Sequence, residues 1–393
     1  MTQIETSAPP KWVAVRLSLF YGALFLVVGI VMPFWPLWLE ARGLGAAEIG
    51  MVMGVGLLTR VIASPMAAHY ADLRGNRQRM MTFLAAGMVG AYLLYGLTWN
   101  FWTILPVAML SACFFPALMP LAESLTVRAT YRQKLDYGRI RLWGSVSFVL
   151  VVPIGGFILE GRSVELVWWM IVSSAFIVFL ATFILPRDDQ PKLATTERTR
   201  TWSRTQQLMR QKNFLLFLLV AGLIQASHAT YYGFATLHWI SLGYSKTMTG
   251  VLWAEGVIAE IALFAIGNWV IARTGPERLL LLACALGVVR WLVTGDFSSS
   301  LRVLFGVQLL HAMTYGAAHL AAMHFIYRTT PAELSGLAQS VYASTSMGVF
   351  MGIAMFASGP LYAATGGAAY NWMAGMAAVA TVGAVFLLRR AND

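Results

Sequence analysis

Six charged side chains stand where charge is costly. Arg60 and Arg290 fall inside long apolar runs, Glu123 lies near the end of another, Arg141 opens the next, and Glu255 and Glu260 share a fifth. An ionised group in hydrocarbon needs a partner or water, so such residues mark places where ions or substrates are handled. Glu123 and Arg141, an acid and a base on adjacent helix ends, are expected to pair. Glu255 and Glu260 lie about 140° apart around a helix and do not share a face. Burial favours a neutral carboxyl and a nearby Arg an ionised one, so an acid between those influences can load and release a proton near neutral pH. Glu260 is the first candidate for that work and Glu255 stands beside it. His311 is another candidate, because imidazole titrates in the right range. His228, His238, His319 and His324 read as satisfied polar groups.

The surrounding sequence is hydrophobic at 58% and charged at only 11%, too little charge for a soluble surface. Twelve runs are long enough to cross a bilayer: 13–39, 48–70, 80–98, 102–122, 142–159, 165–185, 214–238, 248–271, 279–295, 301–324, 337–360 and 370–388. The first is too long for a signal peptide and has no small-residue cleavage site. Strand alternation is absent, which disfavours a β-barrel. With the N-terminus inside, 22 of the 28 Lys and Arg fall on cytoplasmic segments. That bias places both termini in the cytoplasm of an inner-membrane protein and reads the +11 charge as topology, not nucleic-acid binding. Cys113 and Cys284 sit in apolar runs without a spaced partner and read as packing residues. No phosphate-binding loop, cofactor motif or metal-ligand pair is present, so an ATP-driven pump is disfavoured.

The first window also repeats. Gly22, Gly43, Gly50, Gly56 and Gly75 recur 200 positions later as Gly222, Gly243, Gly250, Gly256 and Gly275, and Leu19 and Leu37 as Leu219 and Leu237. Arg60 has Glu260 as its mate. The polar, basic stretch 186–213 divides the chain into halves 1–185 and 214–393, and 199–212 could form a short helix on the inner leaflet. Two like halves with a site between them is the layout of many secondary transporters.

The loop after span two reads Asp72-Leu73-Arg74-Gly75-Asn76-Arg77. An acid, a Gly turn and basic residues between two spans resemble the signature loop of the major facilitator superfamily. The Asp-Arg-x-Gly-Arg order is displaced here, and the second copy, Ala272-Arg273-Thr274-Gly275-Pro276-Glu277-Arg278, lacks the Asp. The resemblance implies that Asp72, Arg74, Gly75 and Arg77 gate a conformational change without touching substrate. Glu123 with Tyr137-Gly138-Arg139-Ile140-Arg141, then Arg290 in span nine and His311 in span ten, are similar to the oligosaccharide:proton symporter and lactose permease group. There the matching residues bind substrate and couple protons. Thr314 stands where that permease has its proton-carrying Glu, so that site does not carry over.

Pro33-x-Trp35-Pro36-Leu37-Trp38-Leu39, Tyr137 to Ser145, and Leu310-His311-Ala312-x-Thr314-Tyr315-Gly316 resemble the phenylpropionic acid porter family along essentially the whole chain. That implies proton-driven import of an aromatic acid. Such a substrate needs a cation for its head and an aromatic wall for its ring. Arg60, Arg141 and Arg290 are the candidate cations, and Trp35 and Tyr231 lead the candidate wall. The expected protein is therefore an all-α, twelve-span major facilitator transporter in two pseudo-symmetric six-helix halves. It would act as a monomer in the lipid bilayer, with a small organic solute and H+ as partners. A drug or metabolite exporter of the same fold is the alternative. A membrane-embedded enzyme or a sensor would need a catalytic cluster or a signalling domain that the sequence does not show.

Overall fold

A computed structural model describes residues 10–186 and 204–392. Their regular structure is helical throughout. Spans one to six are Pro10–Ala41, Ala46–Arg74, Arg77–Leu94, Phe101–Gln133, Tyr137–Leu159 and Glu165–Thr182. Span nine is Pro276–Phe297 and span twelve Ala369–Asn392. Most of the linker lies outside the described residues, but 204–209 is helical and buries Leu208.

Ten helical stretches among the described residues are long and apolar enough to cross a membrane, against the twelve expected. The difference is one of interruptions. The last stretch, Glu333–Ala391, holds spans eleven and twelve and turns at Gly366, whose φ is +55°. Span ten is broken into Leu301–Leu309 and Ala318–Thr329 around a π turn, Ala312–Ala317. Span eleven carries another, Thr345–Phe350, between Ala332–Ser344 and Met351–Thr365. Span eight breaks at Ile266 into Lys246–Ala265 and Gly267–Thr274. Span seven breaks between Lys212–Ala226 and Ala229–Ser241. There Ser227 Oγ and His228 Nδ1 both donate to the Ile224 carbonyl, at 2.7 and 3.0 Å, a side-chain competition with the helix ladder that apolar length does not reveal.

The glycine repeat has a structural meaning. Gly43 and Gly243 have φ of +82° and +89°, and Gly75 and Gly275 +68° and +70°, so each pair places a positive φ at the same turn between spans. Gly50 and Gly250 instead serve close crossings. Span two packs along span eleven, and span eight along span five. A Cβ on Gly50 would lie 2.9 Å from the Met355 carbonyl oxygen, and one on Gly250 2.5 Å from that of Val152. Further along, Gly359 faces the backbone of Ala46 and Ala47, and Gly156 faces that of Lys246 and Thr247. The two crossings are thus repeat mates built backbone on backbone. Lys246 Nζ adds a 2.9 Å bond to the Leu159 carbonyl, and Thr247 N one of 3.2 Å to Glu160. All of these contacts gather on the face opposite the chain ends, leaving the charged residues at mid-membrane depth between the halves.

Candidate functional site

Arg290 is wholly buried, with both Nη atoms bonded and Nε without a hydrogen-bond partner among the described residues. The two hydrogens of its Nη1 are shared among Thr314 Oγ1 at 2.8 Å, His311 Nδ1 at 3.1 Å and His228 Nε2 at 3.3 Å. Nη2 donates to Gln308 Oε1 at 3.2 Å. Trp291 and Tyr231 flank the guanidinium at 4.4 and 4.9 Å. These donors fix the histidine tautomers. His228 gives its Nδ1 hydrogen to a carbonyl, so Nε2 accepts. His311 Nδ1 meets an N–H donor, so its own hydrogen sits on Nε2. The break in span seven makes this possible by turning His228 toward span nine.

The Nε2 side of His311 faces Glu260 Oε2 at 3.7 Å. Two glycines permit that approach. Gly256, one turn before Glu260, lies beneath His311, where a Cβ would come within 3.3 Å of the His311 Cβ. Gly316 on span ten lies beneath Glu260, where a Cβ would come within 3.1 Å of the Glu260 Cγ. Tyr315 stacks on the His311 ring at 5.2 Å and 6°. Its hydroxyl feels the charges of Glu260, Arg60 and Arg141, and Glu260 in turn feels Arg141. Arg60 of span two reaches across to span eleven and donates to the Met347 carbonyl at 2.9 Å. The middle of the molecule therefore brings together two cations from the first half with an acid, an imidazole and a phenol from the second. Such a set can bind an anion and move a proton.

The family model described as MFS_1 like matches residues 14–374. A protein of Escherichia coli (strain K12) named probable 3-phenylpropionic acid transporter is 33% identical over 88% of this chain and 90% of its own length. A maltose permease of Geobacillus stearothermophilus is 27% identical over 84% and 83%. Crystal structures of the nucleoside transporter NupG, a point mutant and the unaltered protein, superpose with TM-scores of 0.86 and 0.81 at 13% and 14% identity, covering 95% and 96% of this chain and 99% of theirs. The chain belongs to the MFS_1-like family.

It is a multi-pass major facilitator transporter of small molecules, with the expected fold, and not an enzyme. The other expected residues of this transporter fall in several places. Glu123 and Arg141 do not form the expected ion pair: among the described residues no carboxylate lies within 4.0 Å of Arg141. The guanidinium lies instead over Phe25 at 4.4 Å and Tyr21 at 5.4 Å, with Glu123 near enough to feel its charge. Two ring faces of span one take the guanidinium by cation–π contact here. Tyr231, 2% exposed, backs Arg290 and accepts from Gln308 Nε2 at 2.9 Å. Trp35 lies far from this centre, stacked at 4.7 Å on Trp38 beside the Arg42–Glu165 ion pair. Glu255 and Glu260 diverge as expected, and Glu255 Oε2 is buried without a partner.

Gly75 caps span two, its N–H bonded to the Ala71 carbonyl, and Asn76 caps span three by accepting from Arg79 N. Arg77 is buried, and the side chains of Asp72 and Arg74 lie outside the described residues. In the second copy Glu277 pairs with Arg328. His238 is satisfied by Ser298 Oγ at 2.8 Å, but His319 Nδ1 has no partner, and His228 belongs to the Arg290 network. Sequence reasoning missed Gln308 and Tyr315. Both lie near His311 on span ten, Gln308 in the helix before the π turn and Tyr315 within it, and the π turn that sets the direction of Tyr315 has no sequence signature.

Proposed function

We propose that this transporter imports a small aromatic acid together with a proton, by rocking halves 1–185 and 214–393, joined through 186–213, about the central cluster. The observation that carries the proton part is the 3.7 Å approach of Glu260 to an imidazole whose other nitrogen is occupied by Arg290. His311 then stays neutral and presents an N–H to Glu260, which orients the carboxylate and leaves it as the group that takes the proton. With the proton on Glu260, one negative charge is removed from the centre and the cations there are free to hold an anion. When the halves rock, Glu260 meets the other solution and gives the proton up.

The similarity to a protein named probable 3-phenylpropionic acid transporter supports an aromatic acid as substrate. Glu123, Arg141 and the rings of Tyr21 and Phe25 supply the first-half side of the site. Arg290, His311 and Tyr231 organise the second-half side, with Glu255 as a further acid, and Trp35 closes the outer end of span one. The excess of basic residues on alternate segments supports cytoplasmic termini in the inner membrane. The sealed face is then the outer one, and opening of the other face releases substrate to the cytoplasm. The Asp72–Arg77 loop gates that opening, and the working unit is the monomer.

Uptake of labelled 3-phenylpropionate into proteoliposomes tests this. Accumulation under an inward proton gradient that collapses with a protonophore is the expected result. No accumulation in sealed vesicles, or extrusion in the opposite sense, would remove the import reading.

A further inference from the structure

The three central arginines are not equally free to meet a substrate. Arg290 has no exposed surface, and both its Nη atoms are bonded within its own half. Arg141 lies on two aromatic rings with the charges of Glu123 and Glu260 in range. Arg60 differs from both. It is half-buried at mid-membrane, and among the described residues it has neither an aromatic ring beneath it nor a carboxylate within 4.0 Å. Its hydrogen bond goes to a neutral acceptor, the Met347 carbonyl, at 2.9 Å. A guanidinium has five N–H donors, and at this depth a full charge is costly without an anion.

The resting partner is also a replaceable one. Met347 belongs to the π turn of span eleven, where the widened helix ladder distorts the backbone. Residue Gly348 beside it lets Val61 of span two approach, so the two halves touch at this point. Tyr315 of span ten is near enough to feel the Arg60 charge.

We infer that Arg60 receives the carboxylate of the transported acid, exchanging the Met347 carbonyl for it. This rests on the proposed import of an aromatic acid. A planar carboxylate accepts two parallel N–H bonds from a guanidinium, which a single carbonyl oxygen does not. Substrate binding then severs a bond that ties one half to the other. It is thereby coupled to the rocking motion as well as to recognition.

The test compares 3-phenylpropionate with the uncharged 3-phenylpropionamide in proteoliposomes carrying wild type, Arg60→Gln and Arg60→Lys. Wild type is expected to prefer the acid strongly. Arg60→Gln should lose acid kcat/KM by about 100-fold, mostly through KM, with amide transport unchanged or raised, so that the preference collapses. Arg60→Lys keeps the charge but not the paired bonds and should fall between. If wild type carries the acid and Arg60→Gln keeps the preference, the assignment of Arg60 is wrong and the import reading stands. If Arg60→Gln gives no transport of either compound, Arg60→Lys decides: a preference equal to wild type overturns the assignment, and a reduced one supports it. Wild type that carries no acid removes both the reading and the role of Arg60.

Discussion

The two halves share turns and crossings but not interiors. Helix starts keep the 200-residue offset, Ala46 with Lys246 and Phe101 with Leu301. At that offset Arg290 corresponds to Gly90, Trp291 to Ala91, Gln308 to Ala108, His311 to Ser111, His228 to Val28 and Tyr231 to Val31. The second half fills with a bonded polar network the positions where the first half keeps small or apolar side chains. Its arginine is immobilised, whereas Arg60 and Arg141 of the first half are left with rings and a backbone carbonyl. On the proposed function, equal scaffolds would divide the work: the second half holding a proton site rigid, the first presenting less restrained positive charge.

The strongest way to break that division is Glu260→Gln. Concentrative uptake should fall by at least about 100-fold and lose its pH dependence, while exchange of labelled for unlabelled substrate across the membrane persists. If accumulation survives, Glu260 is not the proton carrier. Glu255→Gln should leave accumulation within about threefold of wild type, because Glu255 lies off the His311 face.

Next come the crossings. Gly156→Leu and Gly359→Leu each put a side chain against opposing backbone, and each should cut turnover by about tenfold or more by keeping the face opposite the chain ends from closing. Labelling of a cysteine introduced at that face should rise in both. A large effect at one crossing and none at the other would contradict their equivalence.

Thermal unfolding in detergent sharpens the contrast between arginines. Arg290→Leu strands His228, His311, Thr314 and Gln308 in a buried site and should cost about 2–4 kcal/mol, lowering Tm by about 2–5 °C. Arg141→Leu should shift Tm by no more than about 2 °C while still impairing transport. The smallest effect is at a repeat pair. Gly256→Ala crowds His311 and should destabilise by about 1 kcal/mol, whereas Gly56→Ala meets open space and should stabilise by about 0.5–1 kcal/mol.

Much of the architecture was legible because hydrophobic length and glycine recur along the chain. Gly43, Gly75 and their mates announce turns, and Gly50 with Gly250 announces crossings, since both demands bear on a single residue. Even the difference between Gly75 and Gly275, ψ of 11° against 159°, follows from Pro276, which pushes the preceding residue to extended ψ. Other features depend on direction, which composition does not encode. The separation of Arg141 from Glu123 depends on the rings of Tyr21 and Phe25 arriving from span one. The place of His228 depends on a helix break, and that of Tyr315 on a π turn. Aromatic type alone does not tell a central ring from one packed near a span end, and Trp35 is stacked on Trp38 near the end of span one.

The crossings made of glycine against backbone have a thermodynamic consequence. A transporter must visit both of its states with comparable free energy, so sealing one face cannot be strongly favoured or opposed. Side chains that interdigitate on closing lose rotamer entropy and gain contact area, two large terms that must be matched. Where Gly50 meets Gly359 there is no rotamer to freeze and little apolar area to hide. Both terms are small from the start, so the seam opens and shuts near balance and a bound solute is enough to tip it.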